Sequence, residues 1–424
     1  MKQKSKIASN ITQLVKELTY PEDVAEKLVQ IVYGWLDETS KGKPFIDLWA
    51  DVLQSMKNRY DRKEVPLEKL VEIEQIVIRN MSVMIKKEFE FDKEEKCFDL
   101  ADVVKYKQAQ CLSYTILVYI LGISMGFLVS PLIVTEIVLA DELPIGRGHN
   151  ACLFKLADGR MMMVDLAVGP IISQPFNLEE TFIKKGDHWE LIDDQNPLLL
   201  NRRFTITDQD SLVACIYLNK GKLAGPEEAI QHYDHALKLN PGYSEAFSNK
   251  GIACEKLGRL DEAVSCYDKA LELNPKDSRT YYNRGGVKVL RKEYNQAVND
   301  YNQAVSYHKK FPEAYLNRGV IYGNLGNYEE AIFEYNKALE LHPDYGKAYF
   351  HRGTTFISLQ SYAEAIADLT RAIEIVPDFA EAYYNRAVAY NNIGETSKAV
   401  EDFAKVKKLY PELDMNIDNL LKEG

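Results

Sequence analysis

The segment "YYNRG" (residues 281–285) recurs with changes along the C-terminal half of the sequence. Related segments follow a spacing of 34 residues: "FSNKG" (247–251), "YLNRG" (315–319), "YFHRG" (349–353) and "YYNRA" (383–387). Prolines keep the same period at Pro241, Pro275, Pro343, Pro377 and Pro411, and Lys309 stands in the one missing slot. A fixed period over five units predicts a stack of similar structural units, each packed on its neighbours.

Three further columns share this period and describe how each unit folds. A first alanine column is followed by a column of large side chains and then by a second column of small residues. The columns are Ala263, Ala297, Ala331, Ala365 and Ala399; Tyr267, Tyr301, Tyr335, Leu369 and Phe403; and Ala270, Ala304, Ala338, Ala372 and Val406. Small residues let two helices approach closely, the large side chain fills the gap, and proline ends the second helix. The columns therefore predict helical hairpins.

This pattern resembles the tetratricopeptide repeat (TPR). We assign six units to residues 207–410, the first of them degenerate, because it keeps Ala229, Tyr233 and Ala236 but has Tyr217 in the glycine slot. The polar segment 411–424 is predicted to be a capping helix. The resemblance implies an all-α superhelix of helix hairpins with one concave face.

One column of the repeat is a candidate binding surface. The third letter of each short segment is an asparagine or histidine: Asn249, Asn283, Asn317, His351 and Asn385. The resemblance implies that such a ladder lies on the concave face, where amides pair with the backbone of an extended protein or peptide partner. Ring-bearing neighbours one residue earlier, Tyr282, Phe350 and Tyr384, would line the same face. The alternative is that asparagine is simply common at this slot of the repeat.

The N-terminal half has a different pattern. Residues 1–95 show helical apolar spacing, and residues 96–205 combine helical and strand patterns, which predicts an α+β domain. Within it, residues 108–135 contain no charged residue. Gly122, Gly126, Ser130 and Pro131 interrupt this run, so we interpret it as a buried helix followed by a buried strand and not as a membrane span.

A cysteine, a histidine and an aspartate follow one another in this domain. Cys111 ends "YKQAQC" and opens the buried helix, His149 lies in "GHNACLF", and Asp165 lies in "MMMVDLA". In this order the three residues resemble the transglutaminase-like core, a papain-type cysteine fold. The resemblance implies that Cys111 is a nucleophile, His149 its base and Asp165 the residue that orients the imidazole. Gln110, Gln108 and Tyr106 are candidates for an oxyanion donor.

The chemistry of this set is consistent, but it depends on strand register. A helix N-terminus favours thiolate, and an imidazole beside it can hold the proton. His149 and Asp165 share a sheet face only if the loop between their strands has an odd length or a bulge. A loop of Ala157 to Gly159, with Gly159 left-handed, meets that condition.

The totals narrow the possible partners. The net charge of −11 argues against nucleic acid or an anionic membrane as the main partner. The six cysteines show no metal-ligand spacing, so we expect reduced thiols, no metal, no cofactor and a cytoplasmic location. His232 and His235 lie three residues apart without further ligands and are interpreted as surface side chains.

Two functional hypotheses follow. The first is protein or peptide binding by the repeats, coupled to a cysteine-dependent acyl-transfer activity of peptidase, deamidase or amidase type. The second is a non-catalytic TPR scaffold with an inactive transglutaminase-like domain. Departures from the family beside the histidine and the aspartate, such as Leu166, leave the second hypothesis open.

Overall fold

The computed structural model describes residues 6–33, 45–91, 108–109, 111–137, 149–165, 171–173, 175–185, 188–192 and 201–410. The contacts divide the chain into two compact units, Met1–Gly242 and Tyr243–Gly424. The domain boundary that the sequence predicts near residue 205 therefore differs from the division by contacts, because the hairpin of residues 209–239 belongs to the first unit. The predicted capping helix at 411–424 lies outside the described residues.

The described part of the first unit begins with four helices, as the apolar spacing predicts. They are α1 (Lys6–Glu17), α2 (Glu22–Tyr33), α3 (Phe45–Asp61) and α4 (Leu67–Glu88). A short parallel pair of strands follows, β1 (Glu90–Phe91) and β2 (Gln108–Ala109), and then comes helix α5 (Cys111–Ser124). Almost every described side chain of α5 is buried, which explains its lack of charge. Among the described residues, no helix is long and apolar enough to cross a membrane.

In the described residues, an antiparallel sheet of seven strands follows α5. The strands are β3 (Leu128–Ile137), β4 (His149–Lys155), β5 (Met161–Asp165), β6 (Ile171–Ile172), β7 (Phe182–Lys185), β8 (His188–Leu191) and β9 (Asn201–Ile206), with the short helix α6 (Leu178–Thr181) before β7. Their order in the sheet is β6-β5-β4-β3-β9-β8-β7. The buried strand, the hairpin and the strand around His188 that the sequence predicts are all present.

Both faces of the central strands are covered. On one face the sulfur of Cys152 donates to the carbonyl of Thr115 in α5 at 3.5 Å. The other face holds the apolar cluster of Leu132, Ala151, Leu153, Met163, Phe176 and Phe182. The neighbouring residues of β4 thus alternate between helix α5 and this cluster.

The last hairpin of the first unit is α7 (Gln209–Leu223) with α8 (Pro226–Leu239). Ala229, Tyr233 and Ala236 are buried as the degenerate repeat predicts. The prediction that Tyr217 replaces the repeat glycine is wrong: a Cβ on Gly221 would lie 2.4 Å from the ring of Tyr233, so Gly221 fills that role. Gly221 comes four residues, about one helical turn, after Tyr217.

The described residues of the second unit form five helical hairpins. Its first (A) helices are α9 (Ser244–Lys256), α11 (Ser278–Leu290), α13 (Pro312–Asn324), α15 (Gly346–Ser358) and α17 (Ala380–Asn392). Its second (B) helices are α10 (Leu260–Leu273), α12 (Tyr294–Tyr307), α14 (Tyr328–Leu341), α16 (Tyr362–Ile375) and α18 (Thr396–Leu409). We number these hairpins repeats 1 to 5.

The three predicted columns form the core of each hairpin. Every alanine of the first column is 0% exposed, and the large side chains of the second are at most 2% exposed. Glycine faces the large side chain in four repeats, where a Cβ would crowd that side chain. A Cβ on Gly251 or Gly319 would lie only 2.6 Å from the ring of Tyr267 or Tyr335. The helices therefore pack at a distance that glycine sets.

Neighbouring A helices also contact each other directly, as α9 does with α11 and α13 with α15. All five ladder residues lie on A helices, one per repeat. We call the side of the array that carries them the A-helix face.

Candidate functional site

Two ladder amides on the A-helix face are bound to the preceding repeat. The amide nitrogen of Asn317 donates to the hydroxyl of Tyr282 at 3.1 Å and lies 3.5 Å from that of Tyr301. The amide nitrogen of Asn385 donates to the hydroxyl of Thr354 at 3.0 Å. These two asparagines connect repeats, so their amide protons already have acceptors.

The other two asparagines of the ladder, in repeats 1 and 2, lack such an acceptor. The amide nitrogens of Asn249 and Asn283 are buried and have no hydrogen-bond partner. For Asn283, the neighbouring side chains explain why. The residue 31 positions before Asn283 is Ile252, which has no side-chain acceptor, whereas Thr354 holds that position before Asn385. The residue 35 positions before Asn283 is Ser248, whose hydroxyl is bound to that of Thr280 at 2.7 Å. Repeats 1 and 2 therefore hold ladder amides with unused donors.

The fourth ladder position is a desolvated histidine. His351 stacks on the ring of Tyr335, with ring centroids 6.2 Å apart, and contacts Phe350 edge-on at 5.1 Å. Burial, with a smaller effect of the nearby charge of Lys347, lowers the pKa of His351 to about 4. The imidazole is neutral at pH 7 and contributes an apolar ring to this face.

The three predicted ring-bearing residues pack differently from one another. Tyr282 contacts Phe311 at 4.9 Å between centroids, and burial raises the pKa of its hydroxyl despite the bond from Asn317. Phe350 contacts Phe379 at 4.7 Å. Tyr384 is 36% exposed and is the most accessible of the three. Tyr384 is therefore the ring best placed to meet a ligand without rearrangement.

A column of arginines that we did not single out from the sequence links the repeats. Arg352 donates to both carboxylate oxygens of the buried Asp368 in its own B helix, each at 2.7 Å. Its third nitrogen donates to Asn336 of the preceding B helix, and its guanidinium lies 5.4 Å from the ring centroid of Tyr349. The signal was present in the sequence, because arginine and an acidic residue recur 16 positions apart.

The same arrangement recurs in repeats 2, 3 and 5. Arg284, Arg318 and Arg386 each bind a buried carboxylate 16 residues later, in Asp300, Glu334 and Asp402. Burial opposes the charge of Arg284, but the hydrogen bonds and charge of Asp300 outweigh it, and its pKa is raised. For Glu334 burial is the larger effect, and its pKa is raised even though Arg318 opposes the shift. The guanidinium of each of these arginines is thus already paired with a buried acid, although the buried Nε of Arg318 has no hydrogen-bond partner.

The cysteine site of the first unit is described only in its backbone. Cys111 is the first residue of α5, His149 the first of β4, Asp165 the last of β5, and Gln108 lies in β2. Their side chains are outside the described part of the structure. Gln110 and Tyr106 lie outside the described residues altogether.

The hairpin between β4 and β5 has the odd loop that the triad requires. Leu156 donates to the carbonyl of Arg160 at 2.9 Å, and Gly159 is left-handed with φ 86°. The register pairs Leu153 with Met163. Because successive positions of a strand belong to opposite faces of the sheet, positions 149 and 165 belong to the same face as that pair. That shared face, however, is the one occupied by the apolar cluster of Leu153, whereas α5 packs on the other face.

A buried carboxylate holds this loop in place. Glu74 of α4 is 3% exposed and accepts a hydrogen bond from the backbone N–H of Ala157 at 2.7 Å. Burial raises the pKa of Glu74, while the bond from Ala157 and the charge of Lys57 oppose the shift. Helix α4 thus fixes the turn that sets the register of the two strands.

Comparisons with known proteins identify tetratricopeptide repeats in the second unit. Models of the tetratricopeptide repeat match residues 244–277, 287–326, 312–345, 353–394 and 381–412. A search of curated proteins found no match to the chain.

Several solved structures are similar to part of the chain. One is YrrB, a tetratricopeptide protein with an unusual peptide-binding site: it is 24% identical, covers 45% of this chain and 96% of its own, and gives a TM-score of 0.38. MamA from Desulfovibrio magneticus is 25% identical over 39% of this chain and 96% of its own, with a TM-score of 0.37. PilF of Pseudomonas aeruginosa is 18% identical over 51% of this chain and 96% of its own, with a TM-score of 0.44.

Proposed function

We propose that the tetratricopeptide repeats of the second unit bind an extended peptide segment of a partner protein on the A-helix face. The repeats are a protein-binding type of scaffold. The proposal that the peptide binds on the A-helix face rests on the buried, unpartnered amide nitrogens of Asn249 and Asn283. These two residues would hold the peptide backbone.

The cost of an unpartnered donor supports this role. Leaving a buried N–H group without an acceptor costs about 1–3 kcal/mol. A half-turn about the last side-chain bond exchanges the nitrogen and oxygen of an amide and presents the NH₂ group at the A-helix face. A peptide carbonyl bound there then accepts the hydrogen bond. Because every peptide unit has a carbonyl, such binding tolerates many partner sequences.

The neighbouring side chains favour an uncharged segment. Ser248 and Ile252 flank Asn249 on α9, and the half-buried ring of Tyr282 precedes Asn283 on α11. Apolar and aromatic surfaces beside backbone donors suit a peptide whose side chains are small or aliphatic.

The test begins with peptides selected from a random library on the full-length protein. Their affinities are then measured by isothermal titration calorimetry for the wild type and for the Asn249→Ala/Asn283→Ala double variant. We expect the double variant to bind about thirtyfold more weakly, from about 1 kcal/mol for each of two hydrogen bonds. Asn299→Ala, an exposed amide on the B helix α12, is the matched control and should bind normally. Equal affinities of the double variant and the wild type refute the proposal.

A second candidate function is cysteine-dependent acyl transfer in the first unit. It is favoured by the place of Cys111 at the start of a buried 14-residue helix, where backbone N–H groups and the helix dipole stabilise thiolate. In such a reaction the thiolate attacks an amide carbonyl and the amine leaves with a proton from His149. Water or a second amine then takes the acyl group from the thioester.

The sheet sets a condition on this candidate. Position 149 belongs to the strand face opposite α5, so contact between Cys111 and His149 requires the chain at the start of β4 to depart from regular alternation. Limited labelling with iodoacetamide at neutral pH, followed by peptide mapping, tests the candidate. Cys111 should label fastest of the six cysteines, and His149→Ala should slow it. If Cys111 labels no faster than the others, the catalytic assignment loses its main support and the scaffold alternative is favoured.

A further inference from the structure

Repeat 1 departs from the arginine column of the other four repeats. Where they carry an arginine and an acidic residue 16 positions later, repeat 1 carries Lys250 and Cys266. A second cysteine, Cys254, occupies the position one turn after Lys250 on the A helix. The two thiols therefore replace part of an ion-pair network that the other repeats keep.

The positions of Cys254 and Cys266 face each other across the hairpin. In repeat 2 the equivalent residues are Lys288 and Asp300, whose Nζ and Oδ2 atoms are 2.8 Å apart. In repeat 1 burial and the charge of Glu262 raise the pKa of the Cys254 thiol, and a hydrogen bond with the side chain of Cys266 opposes the shift, so the two thiols lie within hydrogen-bonding reach. Side chains in direct contact on two packed helices need only small rotations to reach the S–S distance of about 2.05 Å.

The two cysteines differ in access to solvent. Cys254 is 0% exposed, whereas Cys266 is partly exposed on α10. The thiol of Cys254 also donates to the carboxylate of Glu262 at 4.0 Å, so Cys254 keeps its proton until it attacks. A small oxidant can therefore reach Cys266 first, and Cys254 stands behind it as a resolving thiol.

We propose that Cys254 and Cys266 form a redox site that closes reversibly to a disulfide, with hydrogen peroxide as the oxidant. In the first step an S–O bond forms on Cys266, the O–O bond of the peroxide breaks, and one water leaves. The sulfur of Cys254 then attacks the sulfur of Cys266, so the S–S bond forms and the S–O bond breaks. The released hydroxide takes the thiol proton of Cys254 and leaves as the second water.

The disulfide would fasten helices α9 and α10 of the repeat that carries Asn249. It closes a short loop, residues 254–266, and so restricts the unfolded chain. This inference rests on the contact of two thiols and not on peptide binding, so the two proposals stand or fall separately.

The full-length wild-type protein is treated with an equimolar amount of hydrogen peroxide, alkylated and mapped by mass spectrometry. We expect the 254 and 266 peptides to be cross-linked before any other cysteine is lost, and dithiothreitol to restore both thiols. Cys254→Ser should leave Cys266 as a sulfenic acid that dimedone traps, and Cys215→Ser, another buried thiol, should behave like the wild type.

Either of two results in the wild type overturns the proposal. One is oxidation of Cys266 without the cross-link, and the other is survival of both thiols while other cysteines react. Because the wild-type map decides, the result does not depend on whether a variant folds. Melting curves of the oxidised and reduced wild type give a second measure, with a higher Tm expected for the oxidised form.

Discussion

The guanidinium of Arg352 binds the carboxylate of Asp368 through two hydrogen bonds of 2.7 Å each, Nε to Oδ2 and Nη2 to Oδ1. The two side chains are only 20% and 10% exposed. Removing one member of such a pair leaves a buried charge without compensation, which typically costs 3–5 kcal/mol. The pair thus fixes the A helix of repeat 4 on its own B helix.

We therefore predict that Arg352→Met lowers the free energy of unfolding by about 3–5 kcal/mol in urea denaturation. The Arg352→Met/Asp368→Leu double variant should recover most of that loss, because an apolar pair leaves no buried charge. Lys337→Met, which removes an exposed cation paired with Glu340, is the matched control and should leave stability close to that of the wild type. A double variant no more stable than Arg352→Met would contradict this reading.

The glycine column gives a second prediction. A Cβ at Gly319 would lie 2.6 Å from the ring of Tyr335 and 3.2 Å from the carbonyl oxygen of Ala331, which cannot move freely. Gly319→Ala should therefore destabilise the protein by about 1–3 kcal/mol. At Gly286, also within an A helix, the nearest atom is 3.9 Å away, so Gly286→Ala should be neutral or stabilising by about 0.5–1 kcal/mol. Equal effects of the two changes would show that the ring contact does not set the helix distance.

His351 predicts how stability depends on pH. Its pKa is lowered to about 4 in the folded protein, below its ordinary value of 6.5. Between these values the unfolded chain binds a proton and the folded protein does not, so this residue's contribution is lost as the pH falls from about 6.5 to about 4. The loss is about 3 kcal/mol in total. His351→Asn, the residue of the other repeats, should remove this part of the pH dependence, and parallel pH profiles of variant and wild type would contradict it.

The ladder should divide into structural and binding members. Asn317→Ala removes the amide that donates to Tyr282 and should cost about 1 kcal/mol of stability. Asn283→Ala removes an unpartnered donor and should be neutral or slightly stabilising. Thermal unfolding of the two single variants makes the comparison. Equal losses would mean that all ladder positions have the same structural role.

Much of the second unit could be predicted because its signal is local and repeated. The alanine and tyrosine columns identified the buried residues of every hairpin, and their 34-residue period fixed the order of the helices. The error at Tyr217 lies in the first unit, where we carried that period into a hairpin with a shorter turn. There, Gly221 takes over the contact with Tyr233.

The sequence of the ladder column alone could not predict which asparagines are hydrogen-bonded within the array and which are not. Whether an asparagine is satisfied depends on residues 31 and 35 positions earlier, such as Thr354 before Asn385 or Tyr282 before Asn317. The arginine column was not singled out although arginine and an acidic residue recur 16 positions apart, because the sequence does not show that the acid is buried on the next helix. Long-range side-chain contacts, and not helix periodicity, decide both features.

The candidate triad shows a different limit. The loop of Ala157 to Gly159 could be predicted as a requirement, since it relates two strands joined by a short turn. The face of the sheet on which α5 packs could not be predicted. The order of Cys111, His149 and Asp165 along the chain carries no information about that face. Only the contacts of Cys152 and Leu153 distinguish the two faces.

Peptide recognition by Asn283 is tested most directly by a double-mutant cycle between that residue and the peptide backbone. A selected peptide is compared with analogues in which one amide at a time is replaced by an ester, whose carbonyl is a weaker acceptor. Each analogue is titrated against the wild type and against Asn283→Ala. We predict that one ester weakens binding to the wild type but not to the variant, a coupling of about 1 kcal/mol. If every ester weakens both proteins equally, Asn283 does not bind the peptide backbone.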